Sequence, residues 1–432
     1  NLFNPSGPPR IYTFTIQPGP GGYPFTIRWN KDRLSTGTFL LQDQGTQGAL
    51  VSVSMKTQNS FVAGNPSITT MQIVVKPPVY YPFAQSWNLV AFPLTATGST
   101  KRARLFPSAS SNLYGFNGSY FIADSMQNRL GYWVKLPTSE NIGFEGLPRA
   151  FDTMTVSDGW NLIGSISSPV ARGAIVQVPP NIVTSNYFGY SSSYSVADSI
   201  RPAKGYWVKT RGGGKLVLSS SGAVDKQAAE IPGTGLLSQL NVIRVDDRQG
   251  HRQTLYFGKA SIPPETGSWF ELPPVPPGQL FDARFSSGSM VQILPDTARS
   301  FGIRIQAEPY PVTVSWSIRQ NDVRAITIVG GTPDERFSPA HSEREGSVEI
   351  GEPVAGMIGV RLGMSALLPA VFALRQNYPN PFNPATSIEF DLPADATVSL
   401  KVYDLIGREV AVLSDNEKLS AGTHTVRMNA SR

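Results

Sequence analysis

The residues best suited to acid–base or metal chemistry are scattered along the chain. Its three histidines are His251, His341 and His424, and none of them lies in a His-x-x-x-His or Glu-His spacing that would bring two ligands together. Asp246 and Asp247 are the best adjacent acidic pair, but neighbours in a strand or tight turn point apart, whereas glycosidases need two carboxylates converging across about 5–10 Å. The residue pattern therefore favours solvated loops and a hairpin turn over a metal site or a catalytic pair.

Other stretches resemble chemical motifs only in part. Gly212–Lys215 reads Gly-Gly-Gly-Lys, but it lacks the first glycine at the spacing of a phosphate loop and the Ser or Thr after the lysine. The sequence contains no Gly-x-Ser-x-Gly motif of serine hydrolases and no Asp-x-Asp-x-Asp-Gly calcium loop. We therefore predict that the chain is not an enzyme and that it uses no cofactor and no metal ion.

The composition is typical of a turn-rich β protein. Glycine occurs 40 times and proline 36 times among 432 residues, only 16% of the residues are charged, and Val, Ile, Thr, Tyr, Phe and Ser dominate. Because cysteine is absent, the sequence supports neither a disulfide framework nor a thiolate metal site. The expected fold class is all-β: tandem Ig-like or β-sandwich modules, including an internally duplicated β region, with little or no helix.

Charge and hydropathy argue against two kinds of interaction. The net charge of +6 is spread along the chain without a run of five like charges. Nucleic acid is therefore not an expected partner. No stretch of 18 apolar residues occurs, so the sequence predicts no membrane-spanning helix.

Self-comparison reveals a tandem duplication. Residues 113–135 align without a gap with residues 187–209, and both segments end in Gly-Tyr-Trp-Val-Lys. Upstream, the Trp-Asn-Leu beginning at Trp87 matches the one beginning at Trp160. Each copy also contains a predicted hairpin, because apolar and polar residues alternate on both sides of a short turn. The Trp-Asn-Leu and Gly-Tyr-Trp-Val-Lys layout is similar to modules common in secreted Bacteroidetes proteins, a resemblance that implies no activity.

The aromatic residues of the duplicated copies allow two interpretations. They could form a surface on which sugar rings stack, or they could fill the core of a β module that has no disulfides. The core interpretation is favoured for the tryptophans, because Trp87, Trp133, Trp160 and Trp207 recur at fixed places in both copies. Tyr120 and Tyr194 lie in the hairpins, where we predict an exposed contact surface.

A fainter repeat frames the duplication and helps to divide the chain. Residues 23–29 resemble residues 310–316, and in both stretches the alternation places three apolar side chains on one face, as in a core strand of an Ig-like sandwich. Pro/Gly/Ser-rich punctuation then sets the limits. The expected domains are 1–78 (Ig-like), 79–220 (duplicated, with copies 86–158 and 159–220), 221–366 (β-sandwich) and 367–432 (Ig-like).

Four hydroxyl residues lie in a three-residue pattern that is similar to the Asp-Ser/Thr-apolar O-glycosylation motif of Bacteroidetes. Two of the four recur with the duplication, which a structural role would explain equally well. We predict glycans on some of these hydroxyls, and an intact mass equal to the bare polypeptide would exclude them. The residues are Ser125, Thr153, Ser199 and Thr297.

The last part of the chain carries the most specific motif. It combines an Asn-Tyr-Pro-Asn-Pro-Phe-Asn-Pro opening with a later Tyr-Asp-Leu-Ile-Gly-Arg segment. These stretches resemble the C-terminal sorting domain of the type IX secretion system of Bacteroidetes-type bacteria, which is itself similar to the Ig-like domain of flagellar hook-capping proteins. The matching residues are Asn377, Tyr378, Pro379, Asn380, Pro381, Phe382, Asn383, Pro384, Tyr403, Asp404, Gly407 and Arg408.

The resemblance implies a cellular destination rather than an activity. It implies engagement by the type IX secretion machinery and an extracellular or cell-surface location. Sorting domains of this family usually continue with a further strand after the Asn-Ala-Ser segment that is found here at residues 429–431. A sheet lacking that strand would expose an edge, so self-association by strand complementation is a further expectation.

Three functions fit these observations. The first is a structural or adhesive cell-surface protein, a candidate subunit of an extracellular filament or other assembly. The second is an accessory, non-catalytic region of a secreted hydrolase. The third is a carbohydrate-binding protein that contacts surface glycans through Tyr120 and Tyr194.

Overall fold

The computed structural model describes most of the chain, and strands dominate the described residues. Among these residues, helices are limited to single turns: α1 (Arg102–Leu105), α2 (Thr234–Leu237) and the 3-10 turns Lys31–Arg33, Arg172–Ala174 and Ser268–Phe270. This confirms the all-β fold class with little helix. His341 lies outside the described residues, which are 8–222, 234–261, 267–278, 280–295, 297–298, 300–308, 310–330, 344–354, 356–364, 371–419 and 422–430.

The first domain is built from two small antiparallel sheets. Their strand orders are β1-β6-β3-β4 and β2-β5. Leu41, Met55 and Met71 are buried in its core, and Ile27 and Trp29 pack against them, as the alternation of the sequence predicts. The strands are β1 (Arg10–Thr15), β2 (Phe25–Arg28), β3 (Thr38–Asp43), β4 (Ser52–Ser54), β5 (Ser60–Ala63) and β6 (Thr70–Lys76).

Asp43 anchors the loop that follows β3, and it gives this domain a pH dependence. Its carboxylate accepts hydrogen bonds from the backbone N–H groups of Thr46, Leu50 and Val51 at 2.8, 3.2 and 2.9 Å. The Thr46 hydroxyl, together with these N–H groups, lowers the pKa of Asp43 from 3.8 to about 2. A lowered folded-state pKa stabilises the fold above the unfolded-state pKa, and that stabilisation is lost as the pH falls through the folded-state value.

We therefore expect the first domain to lose stability as the pH falls from about 4 to about 2. Asp43→Asn should destabilise the domain at neutral pH and abolish this part of the pH dependence. Hydrogen exchange at the Leu50 and Val51 amides, measured across that pH range, checks both effects. An Asp43→Asn variant that keeps the wild-type dependence would show that another group is responsible.

Two modules with the same strand order follow the first domain. The order is β11-β10-β12-β8 in the first module and β20-β19-β22-β16 in the second. The first module contains β7 (Val79–Phe83), β8 (Ser86–Ala91), β9 (Leu94–Ala96), β10 (Leu113–Phe116), β11 (Tyr120–Ala123), β12 (Gly131–Leu136), β13 (Glu140–Phe144) and β14 (Gly146–Pro148). The second contains β15 (Phe151–Val156), β16 (Gly159–Ile163), β17 (Val170–Ala171), β18 (Val176–Val178), β19 (Phe188–Tyr190), β20 (Tyr194–Val196), β21 (Ser199–Ile200), β22 (Tyr206–Thr210) and β23 (Gly214–Ser219).

The structure moves the boundary between the two copies. β15 pairs along its whole length with β23, as its counterpart β7 pairs with β13. The second module therefore begins at or before Phe151, and the division between residues 158 and 159 suggested by the sequence cuts off its first strand. The repeated Trp-Asn-Leu lies on the second strand of each copy, so a comparison anchored on that motif misses the first strand.

The third domain is a two-sheet β structure around one core. Its strand orders are β27-β25-β24-β29-β31 and β26-β28-β32-β30, and β25 and β27 pair in parallel. Val312, Val314 and Trp316 point into this core, as the alternation predicts. The strands are β24 (Asn241–Asp247), β25 (Arg252–Gly258), β26 (Asp282–Phe285), β27 (Val291–Ile293), β28 (Ser300–Gln306), β29 (Val312–Ser317), β30 (Val323–Val329), β31 (Glu345–Ile350) and β32 (Ile358–Met364).

The C-terminal domain is the least buried part of the described chain. Its sheets have the orders β33-β34-β37 and β35-β36. Burial alternates along β35 and β37, but even the inward-facing side chains of these two strands remain partly accessible. The strands are β33 (Ala373–Leu374), β34 (Ala385–Leu392), β35 (Ala396–Tyr403), β36 (Glu409–Leu419) and β37 (Gly422–Asn429).

Candidate functional site

The proline-rich opening of the C-terminal domain is an exposed loop fixed to the start of β34. Tyr378 and Ser387 exchange two backbone hydrogen bonds of 2.9 Å. The Asn377 amide donates to the Thr386 hydroxyl at 3.0 Å, and this hydroxyl donates to the carbonyl oxygen of Pro379 at 2.9 Å. The Tyr378 ring is 81% exposed. The loop therefore has a defined backbone but presents its side chains outward, as a recognition element would. Pro379, Pro381 and Pro384 follow cis peptide bonds, Phe382 is half-buried, and Asn380 and Asn383 are exposed.

The second motif stretch of this domain, residues 403–408, forms the tight turn between β35 and β36. The Asp404 carboxylate accepts hydrogen bonds from the backbone N–H groups of Ile406 and Arg408 and from the Arg408 guanidinium, at 3.0, 2.9 and 2.8 Å. The hydrogen bond from the Arg408 guanidinium has the largest effect on the pKa of Asp404, and together these hydrogen bonds lower it. Gly407 has a φ of 84°, which a residue with a side chain rarely adopts. The Tyr403 side chain lies outward beside this turn and is 55% exposed.

The two structured stretches coincide with a known family model. Residues 376–432 match the model of the secretion system C-terminal sorting domain. The tail is a type IX secretion sorting domain. No curated protein and no solved structure matches the chain. The sorting domain marks the protein for secretion to the cell surface or the extracellular space, and it implies an interaction with the type IX secretion machinery. Among the described residues, no helix is long and apolar enough to cross a membrane.

Upstream of the sorting domain, Tyr120 and Tyr194 do not form an exposed contact surface, so that prediction was wrong. Tyr194 is only 3% exposed, and its hydroxyl donates a hydrogen bond of 2.7 Å to the carbonyl oxygen of Pro274. The Tyr120 hydroxyl is also buried, and burial raises the pKa of both tyrosines. The hairpin tips looked exposed in the sequence because short turns usually face solvent. Here the face of each hairpin that carries its tyrosine packs inside the molecule, although residues 117–119 and Ser191 of the turns are exposed.

These tyrosines belong to an aromatic joint between the two modules. Trp133 of the first module packs edge-on against Tyr190 of the second, with 4.8 Å between the ring centroids. Trp207 of the second module packs in the same way against Phe116 of the first, also at 4.8 Å. Trp133 and Trp207 are repeat equivalents, and so are Phe116 and Tyr190. The two contacts are therefore the same contact made in both directions, and the two modules meet through a joint with pseudo-twofold symmetry. The core interpretation of Trp133 and Trp207 is therefore right, although their core is shared between modules.

The joint continues into the backbone with the same symmetry. Val90 forms an isolated β-bridge with Lys204, and Leu130 forms one with Ile163. Val90 is the repeat equivalent of Ile163, and Leu130 is that of Lys204. The Ala91 N–H donates to the carbonyl oxygen of Ala203 at 3.0 Å, and the equivalent Gly164 N–H donates to that of Arg129 at 2.8 Å. Gene duplication has thus produced an internal dimer, in which each module makes on its neighbour the contacts that it receives.

The glycine of the repeated Gly-Tyr-Trp-Val-Lys motif permits this close approach. A Cβ atom added to Gly131 would lie 2.8 Å from the carbonyl oxygen of Ile163, and one added to Gly205 would lie 3.1 Å from that of Val90. We expect Gly131→Ala to destabilise the module pair by about 1–3 kcal/mol, and Gly205→Ala to cost less. Thermal unfolding followed by circular dichroism checks both variants. Gly213→Ala is the matched control, since its nearest non-neighbouring atom would be 3.4 Å away.

The residues that partly resembled catalytic or ligand-binding motifs have structural roles wherever the structure describes them. Asp246 and Asp247 lie at the β24–β25 hairpin, where the Asp247 carboxylate contacts the His251 Nδ1 at 2.6 Å and the Asp246 carboxylate pairs with Arg252. His251 also stacks on Phe281, so it is held in place rather than freely solvated. No group of three or more His, Cys, Asp or Glu residues is placed to hold a metal ion in the part of the chain that the structure describes. The Gly212–Lys215 stretch leads into β23, as a turn between strands would.

The four candidate glycosylation residues differ in accessibility. Thr297 is exposed, and its preceding aspartate lies outside the described residues. Ser125, Thr153 and Ser199 are half-buried. Asp152, which precedes Thr153, is buried and forms ion pairs with Arg129 and Arg149. That carboxylate therefore has a structural role, and glycosylation at all four sites stays a prediction.

Proposed function

We propose that the protein is a non-catalytic structural or adhesive component of the bacterial cell surface, used as a subunit of an extracellular assembly. The sorting domain supplies the destination. The observation that carries the proposal is the aromatic joint, in which Trp133 and Trp207 are each 0% exposed. The aromatic rings that would be most suited to stacking on a ligand are buried where they join the two modules. This arrangement suits a protein with a mechanical role better than an enzyme that must bind and release a substrate.

Contacts between successive domains also support a structural role. Lys56 of the first domain pairs with Glu145 of the first module at 2.8 Å, and the backbone N–H of Gly37 donates to the same carboxylate at 2.9 Å. On the other side, the second module contacts the third domain through Tyr194, as described above, and through Tyr190, whose hydroxyl donates to the carbonyl oxygen of Phe281 at 3.3 Å. Specific polar contacts thus join the first domain to the first module, and the second module to the third domain.

The test compares cells that make the complete protein with cells that lack it. We expect the wild-type protein to be found on the cell surface in ordered assemblies visible by negative-stain electron microscopy, and cells lacking it to adhere less to a surface. A chain without residues 376–432 is the matched control, since it should fold but should not reach the surface. Unchanged adhesion together with protein that is dispersed and monomeric would contradict the proposal, as would hydrolysis of a polysaccharide or protein substrate by the purified chain.

A further inference from the structure

The two modules carry equivalent surfaces. A segment of the third domain fills one of them, whereas the third domain only borders a cleft beside the other. The covered surface belongs to the second module and surrounds Trp160. The 3-10 turn Ser268–Phe270 and the next residue, Glu271, lie against it. Because the modules arose by duplication, the covered surface shows which chemistry the other one is built to receive.

Polar contacts at both ends hold the covering segment. The Ser268 hydroxyl donates to the carbonyl oxygen of Thr184 at 2.9 Å, and the Asn186 amide donates to the carbonyl oxygen of Trp269 at 2.9 Å. The Arg172 guanidinium lies 5.9 Å from the centre of the Trp269 ring, a distance at which a cation attracts the face of an aromatic ring. The segment is therefore recognised through its backbone and through one aromatic side chain.

A carboxylate completes the recognition. The Lys209 ammonium pairs with Glu271 at 2.6 Å, and the Trp160 indole N–H donates to the same carboxylate at 3.4 Å. The covered surface thus accepts an aromatic residue followed two positions later by an acid.

The first module has the same groups in a cleft of about 1420 Å³. Trp87, Asn112 and Lys135 are the repeat equivalents of Trp160, Asn186 and Lys209. Arg102 corresponds to Arg172, because the backbone N–H of each donates to the carbonyl oxygen of the aspartate in the repeated Ala-Asp-Ser. All four line the cleft, together with Glu308 and His251 of the third domain.

Burial distinguishes the two surfaces. Asn186 is 0% exposed and Arg172 is 8% exposed under the covering segment, whereas Asn112 is exposed and Arg102 is half-buried. Trp87 and Trp160 are both half-buried. Among the described residues, however, no carboxylate pairs with Lys135 or accepts a hydrogen bond from the Trp87 indole N–H, whereas Glu271 does both for Lys209 and Trp160. The lysine and the arginine also give this side of the cleft a positive charge that complements an acidic segment.

We propose that the cleft beside Trp87 binds an extended segment of a partner protein, in which an aromatic residue is followed two positions later by Asp or Glu. The carboxylate pairs with Lys135 and the Trp87 indole N–H, the aromatic ring lies against Arg102, and Asn112 hydrogen-bonds the segment backbone. This inference rests on the proposed function, because a partner segment bound here is a means by which a surface protein joins an assembly.

The experiment measures binding of a labelled peptide, Gly-Ser-Trp-Phe-Glu-Leu-Pro, to the complete chain by fluorescence anisotropy. This peptide repeats the sequence of residues 267–273. We expect saturable binding that Lys135→Glu weakens at least about tenfold and that Asn112→Ala weakens by less, since the lysine contributes a charge pair. Lys215→Glu, an exposed charge reversal on β23, is the matched control and should leave binding unchanged.

A charge exchange separates the cleft from displacement of the internal segment. A peptide with lysine in place of its glutamate should bind the wild-type chain poorly and regain affinity for the Lys135→Glu chain. Equal binding by wild-type and Lys135→Glu chains would place the peptide elsewhere and overturn the proposal, and so would the absence of saturable binding. Cells that assemble and adhere normally with Lys135→Glu, while the purified variant loses the peptide, would keep the cleft but remove it from the proposed function.

Discussion

Replacement of Trp133 or Trp207 by alanine is expected to destabilise the module pair by about 3–5 kcal/mol, the usual cost of removing a fully buried indole side chain. Both rings are 0% exposed, and each makes its closest aromatic contact, at 4.8 Å, with a ring of the other module. Because the two environments are equivalent, the two variants should lose similar free energies of unfolding. Urea unfolding followed by circular dichroism measures the loss.

Two comparisons show whether the joint, rather than each module alone, carries this stability. Trp133 and Trp207 belong to one cluster, so the double variant should lose less than the sum of the single losses. Trp207→Phe should cost less than Trp207→Ala, because it keeps a ring and removes an indole nitrogen that is buried without a hydrogen-bond partner in the described residues. Additive losses from the two alanine variants would indicate independent modules and contradict a shared joint.

The sequence predicted much of the local structure because alternation and repetition report burial directly. The strands around Trp29 and Trp316 and the recurrence of Trp133 at Trp207 all identified side chains that are inside. Repetition reports that a residue is buried, but it does not report which surface covers it. Trp133 and Trp207 were therefore placed in the core of each module, whereas they lie between the two modules.

The error at Tyr194 has the same physical origin. The residue lies on the same face of its hairpin as Tyr190, and alternation alone cannot distinguish a face that meets solvent from one that meets another domain. The recurrence of tyrosine at both hairpins was the signal that could have indicated an interface, because a solvent-facing position has no reason to keep a large ring in both copies. The sequence also did not predict a binding cleft beside Trp87. That function is inferred only from the segment that lies against the equivalent surface around Trp160, and this contact cannot be seen in the sequence.

The third domain contains a buried ion pair that illustrates the same limit. Asp282 and Arg284 are 4% and 6% exposed, although their alternation with Ala283 and Phe285 along β26 would suggest a solvent-facing side. Ala283 and Phe285 lie in the domain core, so the charged pair occupies the opposite face of the strand. This face is buried because the second module lies against it: the hydroxyls of Tyr190 and Tyr194 donate hydrogen bonds to the carbonyl oxygens of Phe281 and Pro274.

Arg284→Met is expected to destabilise the third domain by about 3–5 kcal/mol, because it leaves a buried carboxylate without its partner. The guanidinium donates two hydrogen bonds of 2.6 Å to Asp282 and one of 2.7 Å to the carbonyl oxygen of Pro273. Pro274, the next residue, accepts the hydrogen bond from the Tyr194 hydroxyl. Loss of the arginine should therefore also loosen the contact between the third domain and the second module.

The double variant Asp282→Leu with Arg284→Met isolates the contribution of the pair. Two apolar residues leave no unpaired charge, so the double variant should recover most of the stability lost by Arg284→Met, as measured by urea unfolding. The contact with the second module should not recover fully, because the hydrogen bond to Pro273 is still missing; limited proteolysis between the two domains reports on it. If the double variant is as unstable as Arg284→Met, the penalty comes from lost packing around the arginine stem rather than from the buried carboxylate. The expected result, recovery of the free energy without full recovery of protease resistance, assigns Arg284 two separable roles: it neutralises Asp282 within its own domain, and it positions the proline segment that the second module contacts.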